Sequence, residues 1–203
     1  MRPLLDHTIS VEEISRLIGI KIDLDRSLTF SGATSSDSDV VEGDLFLAYP
    51  GEKTHGARFA SSAISRGARA IVTDSEGSTI ADGLPVIVVP HARTAGALIS
   101  ATLYAKPMQE MVSIGITGTN GKTTTAHLLA SILRSDQVKT EILGTLSGGF
   151  TTPEAADLQK MFADMLDAGV RAVAMEVSSH ALALGRVNGT HFSQTVFTNL
   201  GID

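Results

Sequence analysis

Ile116-Thr117-Gly118-Thr119-Asn120-Gly121-Lys122-Thr123-Thr124-Thr125 follows the apolar run Met111-Val112-Ser113-Ile114-Gly115-Ile116 and leads into helical periodicity over 122–134. In order, these segments read as a buried strand, a Gly-rich turn and a helix. A nucleoside triphosphate tail puts several negative charges in little space. Consecutive backbone N–H groups at a helix N-terminus can surround it only where no Cβ blocks the approach, which is the use of Gly118 and Gly121. Lys122 is placed to bridge the outer phosphates, and the Thr123 hydroxyl to ligate Mg²⁺. The common phosphate-loop pattern has Gly five residues before Gly121, where this chain has Ile116, so the loop is a variant. The competing reading is a Gly-rich turn with a solvent-facing lysine. The strand–turn–helix setting and the Gly-Lys-Thr core favour ATP or GTP binding.

Downstream, 138–143, 170–175 and 195–198 read as further strands, and Pro153 opens a helix that ends at Gly169 with Leu158, Met161, Phe162 and Leu166 on one face. Glu176 falls at a strand's carboxyl edge, where open α/β sheets bind ligands. A carboxylate there can hold the nucleotide's magnesium, or it can cap the next helix. Arg186 is either a solvated helix-end charge or a bidentate grip on a substrate carboxylate. Thr151-Thr152-Pro153-Glu154 reads as an N-cap at Thr152 with Pro153 in the first turn, or as a hydroxyl pair presented to substrate. Those two readings are compatible.

Upstream, Ser10-Val11-Glu12-Glu13 has the form of a capping box, with Gly19 closing the helix it opens. Strands over 44–48, 70–73 and 85–89 alternate with helices over 57–65 and 92–104, an α/β pattern. Lys106-Pro107-Met108 reads as a linker. The expected architecture is therefore two α/β units, 1–108 and 109–203, the second a P-loop-type parallel sheet. The last strand of that sheet has no return helix, so a fragment is expected.

Composition narrows the function. The 203 residues carry a net charge of -6 with 4% aromatics and no Trp, which disfavours nucleic acid and anionic membrane surfaces. Cysteine is absent, which excludes disulfides, thiolate metal sites and a cysteine nucleophile. Neither a secretory signal nor a membrane-length apolar run is visible, so a cytoplasmic protein is expected.

At these residues the chain resembles the Mur ligase family of peptidoglycan synthesis. Thr117-Gly118-Thr119-Asn120-Gly121-Lys122-Thr123-Thr124 is similar to that family's phosphate loop, including the departure at Ile116. Glu176-Val177-Ser178-Ser179-His180-Ala181-Leu182, Arg186-Val187 and Phe197-Thr198-Asn199-Leu200 resemble members that add the third, diamino residue to UDP-N-acetylmuramoyl-L-alanyl-D-glutamate. Gly43-Asp44-Leu45-Phe46-Leu47-Ala48, Gly51, Gly56 and Phe59 are similar to the family's uridine-nucleotide domain. The chain departs from common family residues at Ser36-Asp37-Ser38, Glu42, His55, Phe150 and Leu184.

The resemblance implies a small N-terminal uridine-nucleotide-binding domain and, after it, an ATP-binding domain. It implies ATP contacts at Gly118, Thr119, Asn120, Gly121, Lys122, Thr123 and Thr124, with Lys122 and Glu176 catalytic and Thr123 and Glu176 on Mg²⁺. UDP-muramoyl dipeptide contacts are implied at Ser35, Asp37, Glu52, Lys53, Thr54, Thr151, Thr152, Ser178 and Arg186. The implied chemistry is an acyl phosphate on the D-glutamyl carboxylate, attacked by a diamino acid, in a monomeric enzyme. The family uses a further C-terminal domain for amino-acid recognition and closure over ATP, so the chain by itself is expected to be inactive. Two rivals stand beside this reading. One is a sibling ligase adding D-Ala-D-Ala, and the other is a stand-alone P-loop nucleotide-binding module.

Overall fold

The computed structural model describes residues 7–145 and 152–201. The chain divides into two compact units, Leu5–Ala105 and Lys106–Asp203. Both are α/β with parallel sheets.

In the first unit, β1 (Ile9–Ser10) leads into α1 (Val11–Ile18) and pairs antiparallel with β2 (Thr29–Phe30). The capping box is present: Ser10 Oγ accepts from Glu13 N, and the Glu13 carboxylate accepts from Ser10 N at 2.8 Å. Gly19 ends the helix at φ 69°, a left-handed conformation that suits glycine. The Ser10 backbone N–H first, and its hydroxyl second, hold the Glu13 carboxyl below the usual carboxylate range. A lowered folded-state value contributes stability above the unfolded-state value, and that contribution is lost as pH falls through the folded one. Ser10→Ala is expected to cost about 1 kcal/mol in urea unfolding at neutral pH. The difference from wild type should shrink in acid.

The unit's main sheet runs β3 (Gly32–Thr34), β4 (Asp44–Leu47), β5 (Ala70–Thr73), β6 (Val86–Val88), all parallel. Successive strand residues alternate faces. Phe46 and Ile71 meet Ala57, Ala60 and Ala63 on one face. These alanines lie on a 3₁₀ turn, Gly56–Phe59, and on α2 (Ala60–Ser65), so the expected helix opens with a tighter first turn. A further helix, α3 (Ser75–Ile80), lies where no helix is expected from the sequence; its cap is the Asp74 side chain, which accepts from Gly77 N at 2.8 Å. α4 (Ala92–Leu103) packs on β3, β4 and β5, and on α1.

The second unit has sheet order β10-β7-β9-β8, all parallel. The strands are β7 (Val112–Thr117), β8 (Thr140–Leu143), β9 (Ala172–Glu176) and β10 (Gln194–Phe197). β9 is buried throughout, as a parallel strand covered on both faces should be. On one side Ala174, Ile114 and Ile116 meet Ala126 of α5 (Lys122–Ser135). On the other, Val173 and Met175 meet Leu158 and Phe162 of α6 (Ala155–Asp167). Ser113 and Ser193 exchange backbone-to-hydroxyl bonds of 2.8 and 2.9 Å, which ties the segment before β10 to β7.

α6 corrects one expectation. Its N-cap is Glu154, not Thr152, and Pro153 precedes the cap. The reason is competition for the hydroxyl: buried Thr152 donates Oγ1 to the Glu176 carbonyl at 3.2 Å. A short α7 (Ser179–Ala183) follows β9. Among the described residues, no helix is long and apolar enough to cross a membrane.

Candidate functional site

The phosphate loop joins β7 to α5, as its spacing predicts. Gly118 has φ +133°, and a Cβ there would fall on Thr198 Oγ1 and stand 2.9 Å from Asn199 O. Both the backbone and the space demand glycine. Gly121, at φ 85°, is the N-cap of α5, and no side chain caps that helix. Its first-turn N–H groups are therefore left for an anion. Lys122 arches back and donates Nζ to Gly118 O at 2.6 Å and Thr119 O at 3.1 Å. Thr124 is exposed.

Thr119 and Asn120 depart from the simple picture of a phosphate cradle. Thr119 N donates to Asn199 O at 3.1 Å, and Asn120 N to Asn199 Oδ1 at 3.0 Å. Thr198 Oγ1 donates to Asn120 O at 2.6 Å, and Gly201 N to Thr119 Oγ1 at 2.9 Å. The segment after β10 thus clasps the loop from outside. Asn199 entered the sequence reading only as part of a motif, and its contact spans 79 positions, beyond any local window.

Glu176 ends β9 and is buried, 1% exposed. Burial of this carboxylate requires donors, and they come from two neighbouring elements. Thr123 Oγ1 donates to Oε2 at 3.0 Å, Thr145 N to Oε1 at 3.3 Å, and Thr145 Oγ1 to Oε2 at 3.3 Å. The helix-capping alternative for Glu176 fails, because Ser178 caps α7 by accepting from Ala181 N at 3.1 Å. Hydroxyl and carboxylate oxygens beside a phosphate loop form a hard donor set suited to Mg²⁺, which keeps waters and phosphate oxygens as its remaining ligands. Among the described residues there is no cluster of three or more His, Asp or Glu that could hold a metal ion.

Arg186 is not a solvated charge. Its Nε donates to Glu154 Oε1 at 3.1 Å and an Nη to Thr152 O at 3.1 Å. Thr152, expected at the substrate, is 1% exposed and links the Glu176 main chain to Arg186. Ser178 is engaged as a cap, and Thr151 lies outside the described residues.

In the first unit, Glu52, Lys53 and Thr54 are exposed and line one depression with Pro50, His55 and Arg58. His55 Nδ1 accepts from Ala57 N at 3.0 Å, so Nε2 carries the proton that Asp74 Oδ1 accepts at 3.1 Å. Gly77 makes room for this ring, since a Cβ there would stand 2.5 Å from His55 Cε1. The pair pins the exposed turn to α3, and nothing in the sequence pattern announces it. Elsewhere in the unit, Ser35 is half-buried, and Asp37 Oδ2 accepts from Ser62 Oγ at 2.7 Å.

A parallel sheet whose central strand runs into a Gly-rich loop and an uncapped helix, with a buried carboxylate on the next strand, defines a nucleotide-binding α/β protein of the P-loop type. Residues 30–117 match the family model described as "Mur ligase family, catalytic domain", and residues 116–203 the one described as "Mur ligase middle domain". The chain belongs to the Mur ligase family. It is 42% identical over 210 residues to the UDP-N-acetylmuramoyl-L-alanyl-D-glutamate–2,6-diaminopimelate ligase of Streptomyces coelicolor, covering 98% of this chain and 41% of that one. A solved structure of a ligase of that name matches with TM-score 0.78 and 29% identity over 97% of this chain and 41% of that one. A UDP-N-acetylmuramoylalanyl-D-glutamyl-2,6-diaminopimelate–D-alanyl-D-alanyl ligase from Acinetobacter baumannii shares the fold, with TM-score 0.59 and 19% identity over 87% of this chain and 38% of that one. The chain spans about two-fifths of the length of the curated relatives it matches.

Proposed function

We propose that the chain is part of an ATP-dependent ligase that joins a diamino acid to the D-glutamyl carboxylate of UDP-N-acetylmuramoyl-L-alanyl-D-glutamate. The observation that carries this reading is the Thr123–Glu176 contact of 3.0 Å beside the phosphate loop, in a chain 42% identical to a ligase named for that substrate. The names of the relatives point to 2,6-diaminopimelate as the amino acid. The D-Ala-D-Ala alternative has only fold-level support, at 19% identity. A stand-alone nucleotide module leaves the family match over 30–117 without a role.

In this reading residues 1–108 hold the uridine nucleotide, with Glu52, Lys53 and Thr54 as one contacting turn and Ser35 and Asp37 as further contacts. Residues 109–203 hold ATP. A carboxylate oxygen of the acceptor attacks the γ-phosphorus, ADP departs, and an acyl phosphate forms. The amine nitrogen then attacks the acyl carbon, phosphate leaves, and the nitrogen loses a proton. Bringing carboxylate and γ-phosphate together is electrostatically costly. Lys122 offsets this by moving Nζ from the Gly118 and Thr119 carbonyls to phosphate oxygens. Thr123 and Glu176 would hold Mg²⁺, which supplies further positive charge at the phosphates. Arg186, braced by Glu154 and the Thr152 carbonyl, orients the acceptor carboxylate.

The test is a calorimetric titration of this chain with UDP-N-acetylmuramoyl-L-alanyl-D-glutamate, beside one with ATP and magnesium. Saturable heats are expected in both. Silence toward the muramoyl dipeptide at millimolar concentration, with ATP bound, would favour the plain nucleotide module.

A further inference from the structure

Resting on the proposed nucleotide site, we propose that Gly144 and Thr145, at the carboxyl end of β8, form the seat that fixes the Glu176 carboxylate for magnesium, with Thr145 as its positioning residue. β8 and β9 are in register at Leu143↔Met175, so the next residue of each strand, Gly144 and Glu176, emerges side by side. A Cβ at 144 would fall on Glu176 Oε1 and stand 2.5 Å from Cδ and 2.7 Å from Cγ. No left-handed φ demands glycine at this position. The residue is glycine because the carboxylate occupies the space a side chain would need.

Thr145 then addresses both carboxylate oxygens, the backbone N–H reaching Oε1 and the hydroxyl Oε2, each at 3.3 Å. These bonds are at the long end of the useful range. Two long bonds from one residue still define the carboxylate plane, where a single bond would leave it free to rotate. Thr123 also donates to Oε2, but its hydroxyl is itself the expected metal ligand. Thr145 comes from a different element, just past the end of β8, and no ligand role is assigned to it. Its contribution is orientation: it holds Glu176 in one rotamer before the cation arrives. Partners of this kind around metal ligands typically change metal affinity 10–100-fold when removed. Thr145 is exposed, so substitution there leaves the core packing alone.

The experiment measures binding of a non-hydrolysable ATP analogue to this chain across a magnesium titration, and again in excess chelator. Thr145→Val is expected to raise the half-saturating magnesium concentration roughly 10–100-fold while leaving chelator-condition binding and the melting temperature near wild type. Thr145→Ser should restore the wild-type magnesium requirement. Gly144→Ala, which displaces the carboxylate, should match or exceed Thr145→Val. Should Thr145→Val fail to fold, Thr145→Ala takes its place, with the same expectation. An unchanged magnesium requirement would overturn the proposal, as would equal weakening with and without magnesium, or a Thr145→Ser variant as impaired as Thr145→Val. If wild type itself shows no magnesium-dependent binding, the nucleotide site is the reading that fails, and the seat fails with it.

Discussion

In a full-length ligase that carries this sequence, Lys122→Ala lowers turnover by about three orders of magnitude, about 4 kcal/mol of transition-state stabilisation. The ammonium is anchored on two loop carbonyls, Gly118 O and Thr119 O, at 2.6 and 3.1 Å. Carbonyl oxygens at those distances are interim partners that phosphate oxygens, with full negative charge, can replace. Removing the side chain leaves the loop's shape to the backbone conformations of Gly118 and Gly121 and to the Asn199 clasp, whose bonds do not use Nζ. The fold should therefore persist, with an unchanged melting temperature. Rapid-quench measurement of acyl-phosphate formation checks the effect. A loss under tenfold would remove Lys122 from the phosphate-bridging role.

Glu176→Gln is expected to cost about two to three orders of magnitude in turnover, on the scale of lost electrostatic contacts at a developing charge. The substitution keeps the volume of a side chain only 1% exposed, so no cavity opens. Thr123 and Thr145 hydroxyls can reverse their hydrogen bonds to accept from an amide, which limits the stability loss. What goes is the negative charge that a divalent cation needs. The loss should appear as a raised magnesium requirement together with a lower maximal rate at saturating magnesium. A variant with the wild-type magnesium profile would show that Glu176 is merely a buried, satisfied acid.

The parts legible in the sequence are those whose physics is local. The phosphate loop announces itself because strand, glycines, lysine and threonine are contiguous, and their setting between β7 and α5 follows. Ser10 and Glu13 announce α1 for the same reason. α3 escapes notice because its Ser75–Ile80 stretch has no apolar stripe and carries Gly77 inside it. Thr152 is misread as a cap because its real partner, the Glu176 carbonyl, lies 24 positions away. The Arg186–Glu154 pair, 32 positions apart, decides between a solvated charge and a braced one. Residue types alone leave that choice open. Glu52, Lys53 and Thr54 are singled out by family resemblance alone, and the structure adds that they line one exposed depression.

The Asn199 clasp sets an order of events during synthesis. The loop's backbone is held by residues 79 to 82 positions further along, through Asn199 and Gly201. A nascent chain that has left the ribosome only as far as α6 already has β7, the glycines and Lys122, yet lacks the Asn199 and Gly201 bonds to Thr119 and Asn120. Contacts this distant in sequence must overcome loop-closure entropy before they stabilise anything, whereas local ones need not. The first unit, whose strand pairings are complete by β6, can fold while the second still waits for β10. A nucleotide met early would find an unformed cradle. On the proposed reading, competence to bind it is expected only once the Asn199 segment has docked.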